Sequence, residues 1–137
     1  MHLPEQMREA ILAHARWAFP EEACGLLARD GSGRWRMVYC LTNADRSPRS
    51  FTVDPVEQYR AMQHAERHGW EIAGSFHSHP VGSAVPSATD VARALDPTWM
   101  YLVAGPVSGR AAIRAYRIRA GDFTEEAIAW VGDAGGP

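Results

Sequence analysis

The chain has 137 residues, 46% hydrophobic and 22% charged, with 14 basic against 16 acidic side chains and a formal net charge of -2. That length is one folding unit, large enough for a core without disulfide support. The near-neutral balance, with no basic patch, argues against nucleic acid or an anionic membrane as partner. Every basic residue is arginine, so Schiff-base and catalytic-lysine chemistry are excluded.

The opening segment MHLPEQMREA contains no apolar run of signal-peptide length, and nowhere is there an uninterrupted apolar stretch of about 18 residues. A soluble cytoplasmic protein is expected. In that compartment Cys24 and Cys40 are expected to be free, buried thiols.

Residues 4–18 read as a helix: Pro4 suits the first turn, and Met7, Ile11, Ala15 and Ala18 recur at helical spacing until Pro20. CGLLA reads as a short apolar strand. The turn DGSG at 30–33 then leads into its hairpin partner WRMVYCL, Trp35–Leu41. The polar segment TNADRSP follows, then a short strand SFTVD from Ser50. A second helix opens at Pro55 and runs to about Arg67. WEIAGSFH, from Trp70, is the next strand. A third helix starts at Ser87, carries Val91, Ala92 and Leu95, and stops near Pro97. Strand WMYLVA, turn GPVSG, strand AIRAYRI and an amphipathic piece FTEEAIAW complete the domain, and the tail GDAGGP is expected to fray. The order suggests one α/β domain, a mixed sheet with helices packed on it.

The chemistry concentrates in FHSHPVGSAVPSATD, Phe76 to Asp90. His77 and His79 stand two apart at a strand end, so their imidazoles share a face. Ser87 and Asp90 stand three apart at a helix start and share a side. If the intervening loop folds back, Asp90 joins the histidines as a third ligand. Two histidines, a carboxylate and an open position define a catalytic zinc site, since structural sites fill every position with protein. Plainer readings exist for each piece: an H-x-H pair is common without metal, and Ser87 with Asp90 also makes a capping box. Hydrolysis further needs a non-ligating base. Glu22, directly ahead of the CGLLA strand, is the candidate, although Glu21 and Glu22 also read as solvated acids at a strand start. His2, His14, His64 and His68 fall on helices or a terminus, where solvation is expected.

Taken together, Glu22-Ala23-Cys24-Gly25, His77-Ser78-His79, seven residues from Pro80 to Pro86, Ser87, two more and Asp90 resemble the JAMM motif of the MPN-plus zinc metalloproteases. The resemblance spans nearly the whole chain, and residues 1–131 are identified as one JAMM/MPN+ domain. It implies a three-layer α/β/α sandwich with a mixed central sheet, the cytidine-deaminase-like JAMM fold. It also implies one Zn2+ per chain on His77, His79 and Asp90, Glu22 as general base and Ser87 as oxyanion donor. The implied substrates are bonds after the C-terminal Gly-Gly of ubiquitin-like proteins. The short chain leaves little room for the ubiquitin-gripping insertions of eukaryotic members, so the compact prokaryotic branch is the better match. Within it, His14-Ala15-Arg16, Glu22 to Gly25, TNADRSP and Ala115-Tyr116-Arg117-Ile118 are similar to the hydrolases that release cysteine from a ubiquitin-like sulfur carrier. Two alternatives stand beside that: removal of a ubiquitin-like modifier from lysines of target proteins, and a non-catalytic MPN scaffold. A Cys24 nucleophile is disfavoured by its place inside an apolar strand.

Overall fold

The computed structural model describes residues 1–132. Its centre is a six-stranded mixed sheet in the order β3-β2-β4-β5-β6-β7. The strands are β2 (Cys24–Arg29), β3 (Trp35–Leu41), β4 (Glu71–Ser78), β5 (Met100–Gly105), β6 (Ala112–Arg119) and β7 (Asp122–Glu126). All neighbours are antiparallel except β4 and β5. A parallel pair needs a crossover rather than a tight turn. Here the crossover, residues 79–99, carries α3 (Ala88–Arg93).

β2 explains the layering. Its burial is continuous from Cys24 to Ala28, because successive residues point to opposite faces and both faces are covered. On one face Leu27 packs with Phe76, Leu102, and Met7 and Ile11 of α1 (Glu5–Ala18). On the other, Leu26 packs with Leu41 and with Ala61 of α2 (Pro55–Arg67). Val91 of α3 packs on that same side against Val103, Tyr116 and Ile118. The result is the expected three-layer α/β/α sandwich. Gly25 is required by close approach: a Cβ there would lie 2.0 Å from the Tyr39 carbonyl oxygen and 2.2 Å from the Phe76 ring. Truncating a core ring such as Phe76, 1% exposed, costs about 3–5 kcal/mol.

Several expectations are corrected. Ser50–Asp54 is not a strand; only an isolated bridge joins Asn43 to Val53. Its backbone is engaged elsewhere: Thr52 N–H donates to Asn43 Oδ1, and Asp54 N–H to the Thr42 carbonyl. The third helix ends at Arg93, and Leu95 lies outside it, 88% exposed. FTEEAIAW divides into β7 and a separate strand β8 (Ala129–Val131). β8 pairs in parallel with β1 (His2–Pro4), which the sequence pattern does not announce. Pro4 therefore precedes α1 rather than opening it.

His14 and His64 are not simply solvated: a ring nitrogen of each meets the Leu41 carbonyl at 2.9 Å and the Tyr39 hydroxyl at 2.8 Å. Cys24 is buried and free, but Cys40 is free and exposed. The expected frayed tail, beyond Gly132, lies outside the described residues. No described helix is long and apolar enough to cross a membrane.

Candidate active site

β4 delivers the first histidine. His77 sits opposite Cys24 of β2 and Val103 of β5, and only 6% of its surface is exposed. The ladder continues one step past the strand, where the His79 N–H donates to the Ala104 carbonyl at 2.7 Å. The backbone is thus extended through both histidines, and the pleat turns their rings to one side. His77 Nε2 and His79 Nε2 lie 3.2 Å apart. His79 Nδ1 meets the Ser83 carbonyl at 2.7 Å. A carbonyl only accepts, so Nδ1 carries a proton, and Nε2 is the ring atom left facing Asp90. The Phe51 ring stacks on His77 at 4.7 Å, which limits its rotation.

The loop does fold back. Asp90 Oδ2 lies 3.0 Å from His77 Nε2 and 3.1 Å from His79 Nε2. A tetrahedron with arms of about 2.0–2.1 Å has edges near 3.3 Å, so the three atoms describe one face of such a polyhedron to within about 0.3 Å. The capping-box reading of Ser87 and Asp90 holds, and it leaves Asp90 Oδ2 facing both histidines. The Ser87 N–H donates to Asp90 Oδ2 at 2.9 Å, and the Asp90 N–H donates to Ser87 Oγ at 3.1 Å, a complete capping box. In that box Ser87 Oγ acts as acceptor, so its hydroxyl proton is free to be donated elsewhere. Burial alone would raise the Asp90 carboxyl, but hydrogen bonds from the two imidazoles overcome it and hold the group well below the usual carboxylate range. His79 is shifted upward: burial opposes its charge, and the Asp90 and Ser83 hydrogen bonds outweigh that.

Glu22 arrives from β2. Ser78, fully buried between the histidines, accepts from the Ala23 N–H at 2.7 Å, and its own N–H donates to the Ala23 carbonyl at 3.0 Å. One residue earlier, the Glu22 N–H donates to the Ser47 carbonyl at 2.9 Å, and Asn43 Nδ2 donates to the Glu22 carbonyl at 3.0 Å. Asn43 is the hub of this loop. Its Oδ1 also accepts from Asp45 and Thr52, and its Nδ2 reaches Ser50. Glu22 is 4% exposed, and its Oε1 has no hydrogen-bond partner. Burial pushes its carboxyl up to about 7, with His79 pulling down and Asp90 pushing up. An unpartnered buried carboxylate oxygen is destabilising, and here it belongs to a site built to receive something.

All five expected residues therefore meet in one place. Ser78, Asn43 and Phe51 were not anticipated. Ser78 stood in view inside H-S-H and Asn43 inside the polar TNADRSP segment, but their partners are distant in sequence. Cys24 is next to the site, yet burial pushes its thiol up to about 12. It is packed as a core residue.

Comparison with known proteins agrees with this geometry. The chain is 42% identical over 124 residues to the CysO-cysteine peptidase of Mycobacterium tuberculosis, covering 87% of this chain and 83% of that protein. It is 34% identical over 135 residues to the desampylase of Haloferax volcanii, covering 94% and 95%. A solution structure of a Desulfitobacterium hafniense protein superposes with a TM-score of 0.85 at 40% identity, over 96% of this chain and 93% of that one. The fold and the peptidase relatives define a metallo-isopeptidase of the JAMM type. Residues 4–119 match the family described as prokaryotic homologs of the JAB domain, and the chain belongs to that family.

Proposed function

We propose that the protein hydrolyses the bond after the C-terminal Gly-Gly of a ubiquitin-like protein, releasing cysteine from a sulfur carrier in cysteine biosynthesis. The observation that carries the hydrolytic reading is the buried, unpartnered Glu22 carboxylate beside the His77, His79 and Asp90 ligand set. Two imidazoles and one carboxylate suit zinc, and those three residues would hold it. A divalent ion there would supply Lewis acidity toward a water and a carbonyl oxygen. Glu22, raised to about 7, takes the proton of the attacking water and delivers it to the leaving nitrogen. Ser87 donates its free hydroxyl proton to the oxygen that gains negative charge. Ser83 and Phe51 keep the imidazoles oriented. Asn43 and Ser78 fix the backbone from which Glu22 projects.

Cysteine release is supported by the relative whose name states that activity, the CysO-cysteine peptidase. Removal of a ubiquitin-like modifier from lysines is the second reading, favoured by the near-complete coverage of the desampylase. Intact-mass analysis separates them. A ubiquitin-like sulfur carrier ending in Gly-Gly-Cys and an isopeptide-linked conjugate are each treated with zinc-loaded protein, with Glu22→Gln as control. Loss of one cysteine mass from the first substrate alone supports cysteine release. Cleavage of the conjugate alone replaces that reading with the second.

A further inference from the structure

Beside the ligand set lies a cavity of about 340 Å³, walled by His77, Asp90, Phe51, Trp99 and Tyr101, with one cation, Arg93, at its margin. Cavities of this size accept small groups when a few fixed polar atoms orient them. Arg93 is one turn beyond Asp90 on α3 and so shares its side of the helix. Its Nη2 donates to Thr52 Oγ1 at 3.1 Å, and its guanidinium carbon lies 5.9 Å from the centre of the Phe51 ring. Phe51 in turn stacks on His77. The guanidinium is therefore held in place by a hydroxyl and an aromatic face, neither of which neutralises it; the Glu22 carboxyl feels its charge but forms no ion pair with it.

The ion pairs among the described residues engage Arg8, Arg29, Arg36, Arg114 and Arg117, and none involves Arg93. Asp96 also lines the cavity; its Oδ1 accepts from the N–H and hydroxyl of Thr98 at 2.8 and 2.6 Å, and it forms no ion pair with Arg93. A pre-positioned guanidinium with free donors, beside an apolar cavity and a hydrolytic centre, matches a carboxylate, which it grips with paired donors.

We propose that Arg93 binds the α-carboxylate of a single amino acid attached after the scissile bond, making the enzyme selective for release of one free C-terminal residue. In such a substrate the carboxylate sits directly beyond the α-carbon of the leaving nitrogen. A lysine isopeptide presents its four-carbon stem there, and a longer chain presents a neutral amide. Neither offers Arg93 an anion. The proposal rests on the hydrolytic reading above and narrows it to a leaving group with its own negative charge.

The test compares three substrates on zinc-loaded protein: carrier ending in Gly-Gly-Cys with a free carboxylate, the same with a carboxamide end, and the isopeptide conjugate. Expected is a preference of at least about tenfold in kcat/KM for the carboxylate over the carboxamide, the scale of a charge-assisted contact. In Arg93→Gln the two should come within about twofold of each other, with the thermal midpoint unchanged, and Arg93→Lys should recover part of the preference. Calorimetric binding of the first two substrates to Glu22→Gln protein should show the same preference without turnover. Equal rates on carboxylate and carboxamide, or a preference that persists in Arg93→Gln, overturn this inference and leave the hydrolase intact. Cleavage of no substrate overturns both.

Discussion

Replacing Glu22 by glutamine should make the metal-free protein more stable while abolishing the activity of the metal-loaded one, and the gain should appear only where the native carboxylate is forced to ionise. Folding moves this group from its ordinary 4.5 to about 7, chiefly by burial. Below about pH 4.5 the carboxyl is protonated in both folded and unfolded chains, and the native protein carries no penalty. Between about 4.5 and 7 the unfolded chain ionises first, so the folded state binds more protons and stability falls as pH rises. Above 7 the penalty is constant. At about 1.4 kcal/mol per pH unit the shift sets a ceiling near 3.4 kcal/mol. Screening by the open neighbouring surface reduces that to about 2 kcal/mol, or about 6 °C for a domain of this size. Melting curves of both proteins in chelator, taken near pH 4 and near pH 8.5, test it: about 6 °C in favour of the variant at the higher pH and near coincidence at the lower. A difference of equal size at both pH values, or none at either, would refute the claim that Glu22 is held against its ionisation. In the metal-loaded protein a nearby dication favours the carboxylate, so the gap should narrow, while turnover should drop by at least about a hundredfold.

Asp90→Asn keeps an acceptor for the Ser87 N–H but loses the anionic ligand. Metal analysis after dialysis should show less than about a tenth of native occupancy with the fold intact, and full occupancy would remove Asp90 from the ligand set. Asn43→Ala severs the contacts to Glu22, Ser50 and the Thr52 N–H and should lower kcat by about tenfold or more with metal content unchanged; activity within twofold of native would show that the loop does not position the base. Cys24→Ala should retain most activity. On the native protein, alkylation should label exposed Cys40 and spare Cys24; rapid loss of activity on labelling Cys24 would contradict its role as core. Gly25→Ala forces a methyl into the Tyr39 carbonyl and the Phe76 ring and should destabilise by more than about 2 kcal/mol in denaturant titration.

The parts of the molecule that were legible in the chain are those governed by local rules. The two main helices end where proline and glycine say they should, with Pro55 after the Asp54 cap and Gly69 at φ 73°. The candidate ligand set was legible because period-two geometry puts His77 and His79 on one face and a capping box puts Asp90 beside Ser87. What escaped depends on distant pairing. β1 is three residues long and exists because β8 lies beside it. SFTVD has the composition of a strand, but Asn43 takes up the hydrogen bonds a sheet would have used. The environment of Glu22 was equally hidden. Nothing in EEACGLL tells that Glu22 will be buried near His79 while Glu21 is only half-buried, since that follows from β2 lying against β4.

Asp90 has two simultaneous occupations, and they tie a short helix to whatever fills the centre. α3 has only six residues, too few to hold its shape unaided. The oxygen that receives the Ser87 N–H is the same one that faces both histidines. His77, His79 and Asp90 would hold a cation here, and through Asp90 it would tie the first turn of the helix to the sheet. Occupancy of the centre should therefore be readable from outside it, as slower amide exchange and slower proteolytic nicking along residues 80–97.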